Sequence, residues 1–101
     1  MELPAKPARF HSLPETMRAA LKAARQTRGW TQAELGKQVG LPQMHVSNIE
    51  SGKVVPRFDT LLDLVRVLDF DLLLVPRPVV PMVQALIRQD RNPEESLYAD
   101  A

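Results

Sequence analysis

The sequence predicts an all-α domain of four to five short helices, followed by one short apolar β-strand. Three observations predict it. Apolar residues recur at helical spacing in several stretches, and single glycines separate those stretches at positions 29, 40 and 52. The apolar run at 71–76 lies between Asp69 and two prolines, which makes it too short for a helix. At 101 residues, the chain can bury one modest core.

Composition limits the class of protein. The hydrophobic fraction is 45% and the charged fraction 25%, as in ordinary globular proteins. No apolar run is long enough to cross a bilayer, and the N-terminus lacks a signal-peptide pattern. The absence of cysteine excludes disulfides and thiolate metal sites. We therefore expect a cytoplasmic, nucleoid-associated protein with a mildly basic body and an acidic tail.

Capping patterns predict where the first two helices begin. "SLPE" at 12–15 matches a capping box with Ser12 as the cap, and the helix that follows should end at Gly29. "TQAE" at 31–34 is a second capping box, and its short helix should end at Gly40. In that second helix, small Ala33 and Gly36 should permit close helix contact.

Three further helices follow by the same reasoning. The third should begin near Pro42 and end at Gly52, since proline is favoured in a first turn. The fourth begins at Phe58, and a fifth runs from about residue 80 to residue 89. The fourth shows apolar side chains at helical spacing, at Phe58, Leu61, Leu62, Val65 and Leu68.

The third helix combines two different faces. On a helical wheel Val46 and Ile49 point one way, and His45 lies at the border. The opposite arc carries amide, hydroxyl and thioether side chains, from Gln43, Met44, Ser47 and Asn48. Two short helices joined by a glycine turn form a helix-turn-helix, and these side chains suit contacts to base edges in the major groove. The alternative is a solvated face on a structural helix.

The stretch "TQAELGKQVGLPQMHVSNIESGKVVPRFDTLLDLVRVL" closely resembles the phage Cro and repressor (XRE) family of helix-turn-helix proteins. The shared features are the Thr-Gln pair, Leu35, Gly40, the "VSNIE-G" run and Pro56. The resemblance implies a lambda-repressor-like fold that binds DNA. It implies base contacts from Gln43, Met44 and Asn48, with Ser47 at the groove wall, and phosphate contacts from Thr31, Gln32, Lys53 and Arg57.

Two further points come from this resemblance. Family members often pair an arginine of the first helix with the glutamate of "IE-G", which implies a scaffold pair between Arg25 and Glu50. Gly36 stands where alanine is usual, which should loosen the second helix by about 0.5–1 kcal/mol.

The segment "DFDLLLVPR" after the fourth helix resembles the HipB-type antitoxins. That resemblance implies a strand formed by Leu72, Leu73, Leu74 and Val75 that pairs with its copy in a homodimer. It also implies a palindromic operator, repression of the protein's own operon and a HipA-type kinase toxin as partner. Independently, an apolar strand without an intrachain partner predicts dimerisation, unless the segment is an extended linker packed on its own domain. Leu97 and Tyr98 in the acidic tail are candidates for a toxin contact.

These patterns divide the chain into a flexible arm at 1–11, a helix-turn-helix domain at 12–69 and a dimerisation strand at 70–77. A short helix and an acidic, disordered tail are expected at 78–101.

Enzyme and metal signatures are not found. His11 and His45 are far apart and have no second ligand nearby, and no nucleophile or phosphate-loop pattern occurs. We expect a non-enzymatic protein without a cofactor, and Trp30 as a core residue. The sequence favours a dimeric antitoxin and autorepressor. A stand-alone phage-type or restriction-modification controller repressor, and a protein-interaction module that lost DNA binding, remain as alternatives.

Overall fold

The computed structural model describes residues 12–91, and within them the all-α prediction is confirmed. No strand occurs in this described part of the chain. The helices are α1 (Glu15–Thr27), α2 (Gln32–Val39), α3 (Gln43–Glu50), α4 (Phe58–Val67) and α5 (Val80–Arg91), with a 3₁₀ turn (Arg77–Val79) before α5.

The core lies between α1, α2, α3 and α4. Leu35, Val46 and Ile49 are its most completely buried large side chains, so α2 and α3 are joined through the centre of the domain. Burying each such side chain contributes about 1.5–3 kcal/mol. The buried apolar set consists of Leu13, Leu21, Leu35, Val46, Ile49, Leu61, Leu64, Val65 and Leu68.

The first helix begins later than its capping pattern predicts. Its N-cap is Pro14 and no side chain caps it, so the capping box expected at Ser12 and Glu15 is wrong. Leu13 is buried in the core in front of the helix, and the Nε atom of Arg18 donates to its carbonyl oxygen at 2.9 Å. Because Leu13 is buried, the helix begins only at Glu15, and Ser12 lies before the N-cap residue Pro14.

The second helix begins as predicted. The Thr31 hydroxyl oxygen accepts from the backbone N–H of Glu34 at 3.1 Å, and the Thr31 N–H donates to the Glu34 carboxylate at 3.2 Å. This confirms the capping box. Its two hydrogen bonds pair the backbone N–H groups of Thr31 and Glu34, which no carbonyl within the helix can accept.

Gly36 allows the turn after α2 to pack against the helix. It is buried, and its carbonyl oxygen accepts from the N–H of Leu41 at 2.8 Å. A Cβ atom built on Gly36 would overlap the Leu41 carbonyl oxygen. The predicted close contact is therefore confirmed at Gly36, whereas Ala33 is exposed. Helix propensity alone misjudges Gly36, since the turn requires a residue without a side chain here.

The fourth helix ends in a Schellman motif. The N–H of Phe70 donates to the Val65 carbonyl at 2.7 Å, and that of Asp69 to the Arg66 carbonyl at 3.0 Å. Asp69 adopts a left-handed conformation with φ of 66°, which aspartate tolerates better than most residues. The motif stops the helix and sends the chain into the segment 70–76.

That segment differs from the expected strand. Residues 71–75 donate no backbone hydrogen bond to any described residue. A strand needs a neighbouring strand, and residues 12–91 supply none. Leu72 packs half-buried against the core, as the linker alternative expects, while Leu73 and Leu74 are 81% and 102% exposed. The intrachain structure is thus an extended linker, and pairing between two chains stays a prediction.

The fifth helix continues to Arg91, two residues beyond the predicted end. Val80 and Val83 are half-buried, whereas Met82, Leu86 and Ile87 are exposed. The predicted arm, most of the predicted tail, and Leu97 and Tyr98 within it, lie outside the described residues.

Candidate nucleic-acid interface

A buried ion pair joins α1 to the C-terminus of α3. The Nε atom of Arg25 lies 2.7 Å from Oε2 of Glu50, and a second guanidinium nitrogen donates to Oε1 at 3.0 Å. The two side chains are only 9% and 6% exposed. The remaining terminal nitrogen of Arg25 donates to the Trp30 carbonyl at 2.8 Å. The predicted scaffold pair is confirmed, and its bidentate geometry fixes the end of α3 relative to α1.

The hydrogen bonds continue from this pair to the surface of α3. The Nε2 atom of Gln32 donates to Oε1 of Glu50 at 3.1 Å. The Nε2 atom of Gln43 in turn donates to Oε1 of Gln32 at 2.7 Å. We call this chain, from Arg25 through Glu50 and Gln32 to Gln43, the amide relay. It links the buried ion pair to the first residue of α3.

The outward face of α3 carries the residues expected to contact bases. Gln43 is exposed and Met44 is 64% exposed, while Ser47 and Asn48 are half-buried. The Ser47 hydroxyl and the Asn48 amide donate to no described residue. Their polar groups are therefore available to a ligand that approaches this face. His45 is half-buried, in keeping with its border position on the helical wheel.

The residues expected to contact phosphate differ in their environments. Thr31 is exposed at the N-terminus of α2, where its oxygen already accepts a capping bond, so its hydroxyl hydrogen remains to donate. Gln32 is half-buried and its amide is committed to the amide relay, a role that the sequence did not predict. The sequence gives no sign of this role of Gln32, because its hydrogen-bond partners Gln43 and Glu50 are 11 and 18 residues away in the chain.

Lys53 and Arg57 lie in and after the loop that follows α3, and both are exposed. The Nε atom of Arg57 is 3.4 Å from a carboxylate oxygen of Asp59, with side chains 86% and 70% exposed. Such an exposed pair contributes little to stability and exchanges readily, so it does not prevent a phosphate contact.

Arg18 is a structural residue that the sequence reasoning missed. Besides its bond to Leu13, a terminal nitrogen of Arg18 lies 3.4 Å from the backbone oxygen of Glu50. Its guanidinium covers Gly52, in the turn that ends α3. Arg18 therefore holds both the entry to α1 and the end of the helix that carries the candidate base contacts.

A family model described as helix-turn-helix matches residues 21–75 of this chain. The match spans α2, α3 and α4 completely, together with the end of α1. The chain belongs to the helix-turn-helix family. The match confirms the resemblance to helix-turn-helix proteins seen in the sequence.

Curated proteins are similar to parts of this chain. An uncharacterized HTH-type transcriptional regulator, y4dL of Sinorhizobium fredii, is 32% identical over 80 residues, covering 79% of this chain and 41% of the relative. Antitoxin HipB of Escherichia coli K12 is 45% identical over 38 residues, covering 38% of this chain and 43% of the relative. Antitoxin HipB of Escherichia coli O6:H1 is also 45% identical over 38 residues, and this match covers 38% of this chain and 40% of the relative. The chain thus spans less than half the length of each of these relatives.

Among the helices of the described part, none has the length and apolar character needed to cross a membrane.

Proposed function

We propose that this helix-turn-helix regulator binds a palindromic operator as a homodimer, represses its own operon and acts as the antitoxin of a HipA-type kinase toxin. The observation that supports sequence-specific binding is the outward face of α3. Gln43 is exposed there yet held by a 2.7 Å hydrogen bond, so its amide is oriented before DNA arrives. An oriented side chain loses less conformational entropy on binding.

In this proposal each group on the interface has a chemical role. The amides of Gln43 and Asn48 pair with base edges in the major groove, and Ser47 donates or accepts at the groove wall. Met44 supplies an apolar contact to a thymine methyl group. Lys53 and Arg57 contact phosphates in a sequence-independent way, together with Thr31 and the amide donors at the N-terminus of α2.

Exposed leucines support the homodimer. Leu73 and Leu74 have almost no intrachain cover, and the backbone amides beside them lack partners among the described residues. Pairing of residues 72–75 with a second copy would satisfy those amides and bury the leucines. Two α3 helices would then be fixed relative to each other and could reach half-sites roughly 34 Å apart on DNA.

The antitoxin role rests on the local identity with antitoxin HipB, which covers 38 residues of this chain. The kinase partner is implied by the HipB-type resemblance, with Leu97 and Tyr98 as candidate contacts. The second candidate function is a stand-alone repressor of the same fold. It is favoured by the match to y4dL, which is named only as a transcriptional regulator and covers 79% of this chain.

Selection from a random-sequence duplex library tests the DNA-binding proposal. We expect an enriched palindrome, and we expect Gln43→Ala and Asn48→Ala to weaken binding to it about 5- to 150-fold, the cost of one bidentate base contact. Binding to unrelated DNA should change little. Gln84→Ala is the matched control, because Gln84 is an exposed amide on α5, away from the interface.

Salt dependence separates base contacts from phosphate contacts in the same assay. Lys53→Ala should lower the slope of log affinity against log salt by about one on every duplex, whereas Lys22→Ala on the exposed face of α1 should leave it unchanged. Equal losses on palindrome and unrelated DNA for Gln43→Ala would contradict base recognition by α3.

Gene deletion separates the two candidate functions. An antitoxin is dispensable only when its toxin is absent, so loss of this gene alone should stop growth and loss of both genes should not. A viable single deletion would favour the stand-alone repressor.

A further inference from the structure

Met44 is the exposed apolar side chain of α3. The other two large apolar side chains of this helix, Val46 and Ile49, are each 2% exposed in the core, whereas Met44 is 64% exposed. Met44 does not belong to the half-buried apolar side chains that pack against that core. The outward face around it carries amide and hydroxyl groups, beginning with the exposed Gln43 beside it. An apolar side chain thus stands among hydrogen-bonding groups, where the described part of the chain leaves it largely uncovered.

The chemistry of the major groove limits what can cover Met44 when DNA is bound. Base edges present hydrogen-bond donors and acceptors there, and the apolar group among them is the C5-methyl group of thymine. A thioether placed over a polar edge would exclude water without offering a strong hydrogen bond, which costs free energy. Placed against a methyl group, the flexible side chain instead removes apolar surface of both groups from water. The favoured partner of Met44 is therefore a methyl group at C5 of a pyrimidine.

We infer that Met44 contacts the C5-methyl group of a pyrimidine in the operator, and that 5-methylcytosine can take the place of thymine there. This rests on the proposed binding of operator DNA by α3. Both bases carry the methyl group on the ring edge that faces the major groove, whereas cytosine has only a hydrogen atom at C5. Methylation of a cytosine at that position supplies the missing contact, so a cytosine-C5 methyltransferase that modified such an operator would strengthen its binding.

The first arm of the experiment tests thymine. The operator is taken from the random-sequence selection, and each thymine of one half-site is replaced in turn by uracil, which lacks only the methyl group. We expect one position at which the wild-type protein loses about 4-fold in affinity, the effect of burying one methyl-sized group. At that position Met44→Ala should bind the thymine and uracil duplexes equally.

The second arm tests cytosine methylation at the position found in the first. A duplex with a cytosine–guanine pair there is compared with the same duplex carrying 5-methylcytosine. The wild-type protein should bind the methylated duplex about 4-fold more tightly, and Met44→Ala should bind both with the same affinity. The two arms distinguish the two sources of the methyl group.

Control variants separate the methyl contact from other effects. Met44→Leu keeps an apolar side chain and should retain most of both affinity ratios, whereas Met44→Gln has a similar length but is polar and should reduce both ratios to about 1. Met82→Ala is the matched control, because Met82 is 67% exposed but lies on α5. A general loss of folded protein lowers all affinities equally and leaves the ratios unchanged.

Two results would overturn the inference while leaving the proposed function in place. One is a clear operator in which no uracil substitution has an effect that depends on Met44. The other is a thymine effect without any gain from 5-methylcytosine, which would show that the methyl group alone does not determine the contact. A selection that enriches no sequence would overturn the proposed function as well.

Discussion

Replacing Gly36 by alanine tests how closely the turn packs against α2. The added Cβ would overlap the carbonyl oxygen of Leu41 and would lie 3.5 Å from a methyl group of Val46. The carbonyl cannot rotate away on its own, because it is backbone and the neighbouring N–H of Leu41 is bonded to Gly36 at 2.8 Å. Relief therefore requires a shift of the turn that leads into α3.

Two effects of opposite sign decide the magnitude. Alanine favours a helix interior over glycine by about 0.5–1 kcal/mol. Overpacking a close contact costs about 1–3 kcal/mol. The rigid backbone partner places Gly36→Ala toward the upper part of that range, so the free energy of unfolding should fall by about 1–2 kcal/mol. For a domain of this size, the melting temperature should fall by roughly 5–15 °C.

Thermal and urea unfolding followed by circular dichroism measure the change. Lys37→Ala is the control, because Lys37 is exposed on the same helix and its replacement should alter stability by less than about 0.5 kcal/mol. A higher melting temperature for Gly36→Ala would refute the reasoning, because helix propensity would then outweigh the contact.

Two further predictions concern the ion pair and the dimer. Arg25→Leu should destabilise the fold by about 3–5 kcal/mol in urea unfolding, because it leaves the Glu50 carboxylate buried without its partner, and adding Glu50→Met should restore most of the loss. A single-variant loss below about 1 kcal/mol would mean that water reaches the carboxylate. Leu73→Pro should sediment as a folded monomer and bind a palindrome far more weakly than wild type, with isolated half-sites less affected. A persistent dimer at micromolar concentration would place the association elsewhere, in α4 or in residues 80–89.

The helices could be predicted from sequence wherever local chemistry decides the boundary. The capping box at Thr31 and Glu34 forms as expected, because all its partners lie within one turn. The similar pattern at Ser12 fails because burial of Leu13, a tertiary effect, fixes the entry to α1. The need for glycine at position 36 is also a tertiary effect, since it comes from the Leu41 carbonyl oxygen in the turn after the helix.

The candidate site was also predictable only where local sequence determines it. Helical periodicity alone selects the outward face of α3, including Gln43. The amide relay was not predictable, because its members come from three helices and only the packed structure brings Gln32 between Glu50 and Gln43. Residues 72–75 form no strand within the described part of the chain, since a strand depends on a neighbouring strand that these residues do not have there.

Trp30 gives this protein a native optical probe at an informative place. It is the only tryptophan, it packs half-buried against the core, and the Arg28 guanidinium lies 5.4 Å from its ring centroid. Its carbonyl oxygen accepts from Arg25, the arginine of the buried ion pair. Its fluorescence therefore reports on the junction of α1 and α2, without any label attached to the outward face of α3.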